Sequence, residues 1–164
     1  MTFDSFLSDI GATIVGGLFL ALLFFWANEK VFRLPDVTGR SYFELTTLTS
    51  AYNPYSGMVL RYLALLWREE HRVRGTAEKI YERSSTGERS YIGRDRTRVI
   101  VEGYIEKRYF SRHKVFLHII EDGHGRESSA FYELSVLRNG QLSGVFHSMV
   151  ADQSGTVTWQ REPF

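Results

Sequence analysis

The 164-residue sequence contains no cysteine. Disulfides, thiol catalysis and zinc sites built from thiolates are therefore excluded. Catalytic signatures are also missing, because the chain has no H-E-x-x-H, no phosphate-binding P-loop and no G-x-S-x-G. The 5 histidines do not follow the spacing of metal ligands. We therefore expect a protein that is not an enzyme and that has no catalytic residues, no cofactor and no metal.

A general basic character is lacking too. The formal net charge is +1, so a DNA or RNA polymer is not an expected partner. The charge is unevenly placed, because residues 68–114 hold 13 Lys/Arg against 8 Asp/Glu and residues 115–164 hold 3 against 6. This pattern is compatible with ordinary solvated strand faces. It is also compatible with a basic surface or mouth that attracts an anionic ligand or lipid.

Long hydrophobic runs are absent except for Ile10 to Ala27, which has 18 residues without a charge. An α-helix of that length spans about 27 Å, close to the thickness of a bilayer's hydrocarbon layer, and Trp26 stands where an interfacial aromatic is expected. A cleaved signal peptide is the rival interpretation. Residues 1–9 contain two aspartates and no basic residue, and FFWANEK is a poor cleavage site. The sequence therefore predicts a transmembrane anchor and linker over 1–34.

The charges that flank the apolar run predict its orientation. Lys30 and Arg33 follow the run, and no basic residue precedes it. The positive-inside rule then predicts a single-pass protein of the inner (cytoplasmic) membrane whose C-terminal domain lies in the cytoplasm.

Small residues recur at four-residue spacing in the apolar run, an arrangement that lets helices approach closely in lipid. They are Ala12, Thr13, Gly16, Gly17 and Ala21. One interpretation is a homo-oligomer that assembles through its helix. The other is that glycine and alanine are simply common in membrane helices.

Residues 35–164 form the predicted soluble domain, in which apolar and polar residues alternate with the period of a strand. We predict eight strands, at 40–48, 58–68, 71–83, 96–110, 113–121, 129–138, 141–150 and 155–161. Turn-forming pairs separate them, and Asn139-Gly140 is the strongest hairpin signal. Short strands joined by tight turns predict a mainly β, antiparallel, up-and-down barrel of eight strands, which can hold one small ligand. A β-sandwich is the alternative.

Alternation along the strands predicts which side chains point inward. On the fourth strand the inward set includes Val99, Val101 and Ile105, and on the third it includes Val73 and Ala77. Continuing the inward faces of the third and fourth strands, and including the sixth, gives a candidate ligand-binding set. The register of the second strand stays open, so that strand contributes one of two alternatives. The members of the set are Lys79, Tyr81, Lys107, Tyr109, Tyr132 and either Arg61 or Tyr62.

Lysines and tyrosines at a barrel mouth suit an anionic aromatic ligand, because ammonium groups bind phosphates and phenol rings stack on bases. The alternative is that Lys79 and Lys107 stand at strand ends, with their aliphatic stems buried and their charged ends in water.

Two stretches resemble a known family. TGRSYF at 38–43 is similar to the start of its first strand, and GQLSGVFH at 140–147 with DQSGTVTWQR at 152–161 is similar to its closing hairpin. With the anchor-plus-barrel layout, the chain resembles the transmembrane, β-strand-rich effectors of bacterial cyclic-oligonucleotide anti-phage immunity. The resemblance implies a lipocalin-like barrel that binds a cyclic oligonucleotide, oligomerises and disrupts the membrane. Members of that family usually have two transmembrane helices, whereas this sequence has one candidate.

The leading hypothesis is therefore a membrane-anchored effector whose cytoplasmic barrel binds a cyclic nucleotide second messenger and controls oligomerisation and membrane disruption. A membrane-tethered barrel that binds a protein partner without a small ligand is the alternative, and it requires a filled interior. A lipocalin-like enzyme is a third possibility, and it requires titratable groups that converge inside the barrel.

Overall fold

The computed structural model describes residues 3–30, 33–123 and 126–164, and the chain divides into two units, Met1–Leu34 and Pro35–Phe164. The first unit contains helix α1 (Phe3–Lys30). Its segment Asp9–Lys30 has 22 residues and is long and apolar enough to cross a membrane. At 1.5 Å per residue this segment is about 33 Å long, which matches the hydrocarbon thickness of a bilayer.

The second unit is a sheet of nine strands. In chain order they are β1 (Gly39–Thr49), β2 (Val59–Glu69), β3 (Arg72–Ser84), β4 (Gly87–Ser90), β5 (Arg98–Glu106), β6 (Lys114–Gly123), β7 (Arg126–Val136), β8 (Leu142–Ser148) and β9 (Gln153–Gln160). Single turns of 3₁₀-helix lie at Asn53–Tyr55, Gly93–Asp95 and Val150–Asp152.

Eight of these strands close into an all-antiparallel barrel. Their order is β2-β1-β9-β8-β7-β6-β5-β3, and pairing of β3 with β2 completes the ring. Consecutive strands are neighbours, so the predicted up-and-down barrel is confirmed. The ninth strand, β4, was not predicted; it lies outside the barrel and pairs with the end of β3, from Tyr81 to Ser84.

The predicted inward faces of β3 and β5 are correct along most of their length. Val73, Val101 and Val99 are buried, with at most 1% of their surface exposed, and Ile105 and Ala77 are buried as well. The ends of the predicted fourth strand are wrong, because β5 covers Arg98–Glu106 rather than 96–110. After Glu106 the chain turns away, and the backbone N–H of Arg108 donates to Nδ1 of His113 at 3.0 Å.

Side chains fill the barrel at the end where β1 begins. The large buried residues there are Phe43, Ile105, Leu134, Leu142 and Trp159. Val37, just before β1, is 1% exposed and adds to this core. Arg161, just after β9, holds the lead-in segment by donating to the backbone oxygens of Asp36, Thr38 and Arg40. An eight-stranded barrel has an interior just wide enough to be filled in this way.

Tight curvature of the barrel depends on glycines inside the strands. A Cβ atom on Gly144 would lie 1.8 Å from the backbone oxygen of Glu133, and one on Gly103 would lie 2.0 Å from that of Phe116. These distances are far below van der Waals contact, so neighbouring backbones meet where no side chain fits. Glycine at a barrel bend allows such an approach.

We predict that Gly144→Ala destabilises the barrel by about 2–4 kcal/mol, because the neighbouring backbone must move. The matched control is Ser143→Ala, one residue earlier in β8, which adds no atom. Urea unfolding of the full chain in detergent, followed by tryptophan fluorescence, measures both variants. Equal stability of the two would contradict this account of the curvature.

Candidate functional site

An open cleft of about 780 Å³ occupies the barrel end away from the start of β1. Its wall comes from β1, β2, β3, β6, β7, β8 and β9 and from the loops after β1 and β8. The side chains that carry its chemistry are Tyr55, Tyr62, Lys79, Glu82, Glu121, Glu127, Tyr132, Phe146 and Gln153. The cleft therefore combines apolar walls with a few polar groups, as ligand sites do.

A bulge in β3 shapes one wall of the cleft. Arg61 pairs with Tyr81 and Tyr62 pairs with Lys79, so Ile80 is an extra residue on β3. The backbone oxygen of Ile80 accepts from the N–H of Tyr91 at 2.9 Å. A bulge of one residue reverses the faces that follow it. Lys79 precedes the bulge and lines the cleft on the regular inward face, whereas after the bulge Tyr81 points away and Glu82 lines the cleft.

An ion pair links the two sides of the cleft. Nζ of Lys79 on β3 lies 2.7 Å from Oε1 of Glu121 on β6, and their side chains are 16% and 15% exposed. The hydroxyl of Tyr62 on β2 donates to the other carboxylate oxygen of Glu121 at 2.9 Å. Three strands thus place one cation, one carboxylate and one phenol in direct contact.

A second carboxylate extends this group towards β4. The hydroxyl of Tyr91 donates to Oε2 of Glu82 at 2.9 Å, and Nζ of Lys79 lies 4.0 Å from the same oxygen. The ammonium of Lys79 is 5.9 Å from the centre of the Tyr91 ring, within the range of a cation–π interaction.

Burial raises the pKa of three tyrosines in and beside the cleft. Desolvation raises the pKa of Tyr62 well above its ordinary value, and the neighbouring Glu121 carboxylate raises it further. Burial and Glu121 likewise raise the pKa of Tyr132, and burial and the hydrogen bond to Glu82 raise that of Tyr91. The hydroxyls of Tyr62 and Tyr91 donate to the carboxylates of Glu121 and Glu82.

The charge of the cleft is negative. One lysine and three glutamates line it, so its formal charge is −2. Because Lys79 is already paired with Glu121, the cleft offers a ligand more hydrogen-bond acceptors than free cations.

Aromatic rings form the floor. Tyr132 lies 6.0 Å from Phe43 and 6.1 Å from Phe146, both measured between ring centres and with tilted planes. Tyr55 contributes a further ring at the mouth, in edge contact with Tyr52 at 5.0 Å. Such rings give a flat apolar ligand surfaces on which to stack.

The predicted site residues fall into three groups in the structure. Tyr62, Lys79 and Tyr132 line the cleft, as predicted. Tyr62 is 5% exposed, and this resolves the open register of the second strand in its favour. The inward placement predicted for Tyr81, Lys107 and Tyr109 is wrong.

Tyr81 and Arg61 lie on the outer face. The β3 bulge turns Tyr81 outward, where the Arg61 guanidinium lies 4.9 Å from its ring centre. Arg61 itself pairs with Glu44 at 2.7 Å and also lies over the ring of Phe164. Both side chains are thus part of an outer cluster and not of the cleft.

Lys107 and Tyr109 lie at the other end of the barrel, because β5 ends at Glu106. The backbone N–H of Lys79 donates to the oxygen of Thr97, which is ten residues before Lys107. Ten residues of strand correspond to about 33 Å. The ammonium of Lys107 lies 5.5 Å from the ring centre of Tyr109, so these two residues contact each other.

Sequence reasoning missed Glu121, Glu82 and Tyr91. Alternation identifies the first of these, because Val115, Leu117 and Ile119 are buried and Glu121 is the next residue on that face. No pattern in the sequence marks the bulge that turns Glu82 inward, and Tyr91 depends on the unpredicted β4.

Within residues 3–30, 33–123 and 126–164, no group of three or more His, Asp or Glu side chains is arranged to hold a metal ion.

Helix α1 has its predicted small residues at consecutive turns, and Gly16 and Gly17 have open space beside them. The hydroxyl of Thr13 donates to the backbone oxygen of Asp9 at 2.8 Å, so the helix itself satisfies this polar group.

Comparison with known proteins found no match to this chain among family models, curated proteins or solved structures.

We predict that Lys79→Met destabilises the barrel by about 1–3 kcal/mol, because the half-buried Glu121 loses its cation. Arg96→Met is the matched control, since Arg96 pairs with Glu78 at 2.9 Å where both side chains are much more exposed. Its expected cost is below about 1 kcal/mol. Urea unfolding compares the two variants, and equal losses would contradict a structural role for the cleft ion pair.

Proposed function

We propose that this chain is a membrane-anchored sensor whose barrel binds a cyclic nucleotide second messenger in the open cleft and thereby controls oligomerisation and membrane disruption. The observation that carries the proposal is the cleft itself, with its Lys79–Glu121 pair and its tyrosines, in the same chain as a helix that can span a bilayer. The family resemblance of the sequence supports a role in anti-phage defence.

The apolar helix supports the anchor. Its length matches the hydrocarbon layer, and Lys30 ends it on the side that leads to the barrel. With Arg33 as the second basic residue, the positive-inside rule favours a cytoplasmic barrel. A cytoplasmic location would expose the cleft to nucleotides made in the cell.

The size of the cleft favours a small ligand over a purely structural barrel. Small-molecule sites have volumes of roughly 300–1,000 Å³, and the cleft falls in that range at about 780 Å³. A barrel that served only as a scaffold for a protein partner would have no need of such a space or of charged groups within it.

The chemistry of the cleft favours insertion of the base rather than the phosphate. Carboxylates such as Glu82 and Glu121 accept hydrogen bonds from the amino groups of adenine, guanine and cytosine, and they repel phosphate. Tyr132 and Phe146 supply rings for stacking. Phosphates would then lie at the rim, near Lys79 and near Arg89, whose guanidinium is 5.7 Å from the centre of the Tyr91 ring.

A ligand can control assembly only if it binds one state of the protein better than another. Lys79 offers a route, because a phosphate that draws its ammonium away from Glu121 would loosen the contact between β3 and β6. The small-residue face of α1 would then carry the change into assembly of the helices.

We predict that the full chain in lipid nanodiscs binds at least one member of a panel of cyclic di- and trinucleotides in calorimetric titration. Lys79→Ala should weaken that binding at least about tenfold, since a charge-assisted hydrogen bond contributes about 1.5–3 kcal/mol. Lys107→Ala, at the other end of the barrel, is the matched control and should bind normally. A folded chain that binds no member of the panel would refute the nucleotide proposal.

We further predict that Gly17→Ile weakens association of the full chain by about tenfold, because a branched side chain prevents close approach of the helices. Leu22→Ile, which keeps the apolar volume at a position away from the small-residue face, is the control. Sedimentation in detergent and energy transfer between labelled chains in vesicles report the assembly state. If Gly17→Ile assembles like the control, this face does not mediate assembly.

A further inference from the structure

The loop between β5 and β6, residues 107–113, has an unusual composition. It contains Lys107, Arg108 and Arg112 together with His113, and it contains no acidic residue. Between the cations stand two aromatic residues. Tyr109 is 52% exposed and Phe110 is fully exposed.

Hydrogen bonds hold this loop in a defined shape. The guanidinium of Arg108 donates two hydrogen bonds to the carboxylate of Glu106, both at 3.0 Å. These hydrogen bonds hold the pKa of Glu106 below its usual range. The backbone oxygen of His113 accepts from the N–H of Val136 at 3.0 Å, which ties the loop to the start of the β7–β8 turn.

The loop lies at the barrel end where β1 begins. Tyr104, near the end of β5, pairs with Arg72 at the start of β3, and Gly39 at the start of β1 pairs with Leu66 near the end of β2. The chain therefore enters β1 at the same end of the barrel that carries the β5–β6 loop.

We propose that the β5–β6 loop is a membrane-binding surface, with Phe110 and Tyr109 inserted among lipid headgroups and the exposed Arg112 on anionic lipids. A fully exposed phenylalanine is stabilised when it leaves water, and a basic residue is attracted to an anionic surface. The inference uses the proposed anchor but not the proposed ligand. It goes beyond anchoring, because it assigns the barrel a lipid contact of its own.

The test uses the absence of cysteine from the natural chain. Ser111→Cys places a single thiol beside Phe110 for an environment-sensitive fluorophore. Ser56→Cys places the same fluorophore on the loop between β1 and β2, at the cleft end of the barrel. Both full-length chains are reconstituted in vesicles of phosphatidylcholine with or without phosphatidylglycerol, and quenching by shallow doxyl-labelled lipid is measured.

In vesicles that contain phosphatidylglycerol, the fluorophore at position 111 should be blue-shifted and quenched, and the fluorophore at position 56 should be neither. Adding Phe110→Ser to the Ser111→Cys chain should abolish the quenching, and adding Arg112→Glu should abolish the preference for phosphatidylglycerol. Raising the salt from about 0.15 M to about 1 M should weaken that preference, because the Debye length shortens to about 3 Å. Unfolding curves confirm that the variants remain folded.

Equal quenching at positions 111 and 56, or quenching at 111 that survives Phe110→Ser, would overturn the proposal. Flotation of the same samples separates this failure from failure of the anchor. A chain that floats with the vesicles but is not quenched at 111 refutes only the loop contact. A chain that does not float refutes the anchor and the loop contact together.

Discussion

Closure of the sheet through β1, which pairs with both β2 and β9, is the constraint on which the rest of this structure depends. It satisfies the backbone hydrogen bonds of what would otherwise be two free edges. With eight strands, closure also leaves an interior that side chains can fill completely. Glycines such as Gly103 and Gly144 permit the curvature that closure demands. The cleft of this barrel lies beside a local departure from regular pairing.

The departure occurs in β3. One extra residue at Ile80 turns Glu82 towards the cleft, where Lys79 already lies on the regular inward face, and β4 pairs with the stretch of β3 that follows. Lys79 could not be placed there alone, because an unpaired ammonium in a half-buried position is costly. Glu121 on β6 offsets that cost, and Tyr62 satisfies the second oxygen of Glu121. The geometry of the bulge and the charge pair across the cleft thus support each other.

The barrel's two ends differ in chemistry. One end is an acidic cleft with aromatic side chains in its wall. The other has a filled core and presents the basic, aromatic β5–β6 loop. The length of the barrel separates the acidic cleft from the basic loop, so each end presents its own electrostatic surface.

Much of the fold follows from the sequence itself. The apolar run at 10–27, the two-residue alternation at Val99–Val101 and the Asn139-Gly140 turn are local signals, and each depends on residues close together in the chain. They determined the helix, the strands and the antiparallel class. The same alternation, carried from Val115 to Ile119, also points to Glu121. Lys79 and Tyr132 were identified in this way, by continuing faces that the sequence displays, whereas the sequence left Arg61 and Tyr62 as alternatives.

The tertiary structure decided the composition of the cleft. A shift of one residue reverses every later side chain on a strand, and the shift at Ile80 arises from the pairing of β3 with β2 on one side and with β4 on the other. Tyr81 therefore lies outside although its spacing predicts the inside. Lys107 and Tyr109 do not lie on the predicted inward face, because the pairing of β5 with its neighbours ends at Glu106. Residues beyond that point are not in the strand. Period-two spacing determines which face a strand residue occupies. Only the pairing of strands determines where a strand begins and ends and where a bulge shifts the spacing by one residue.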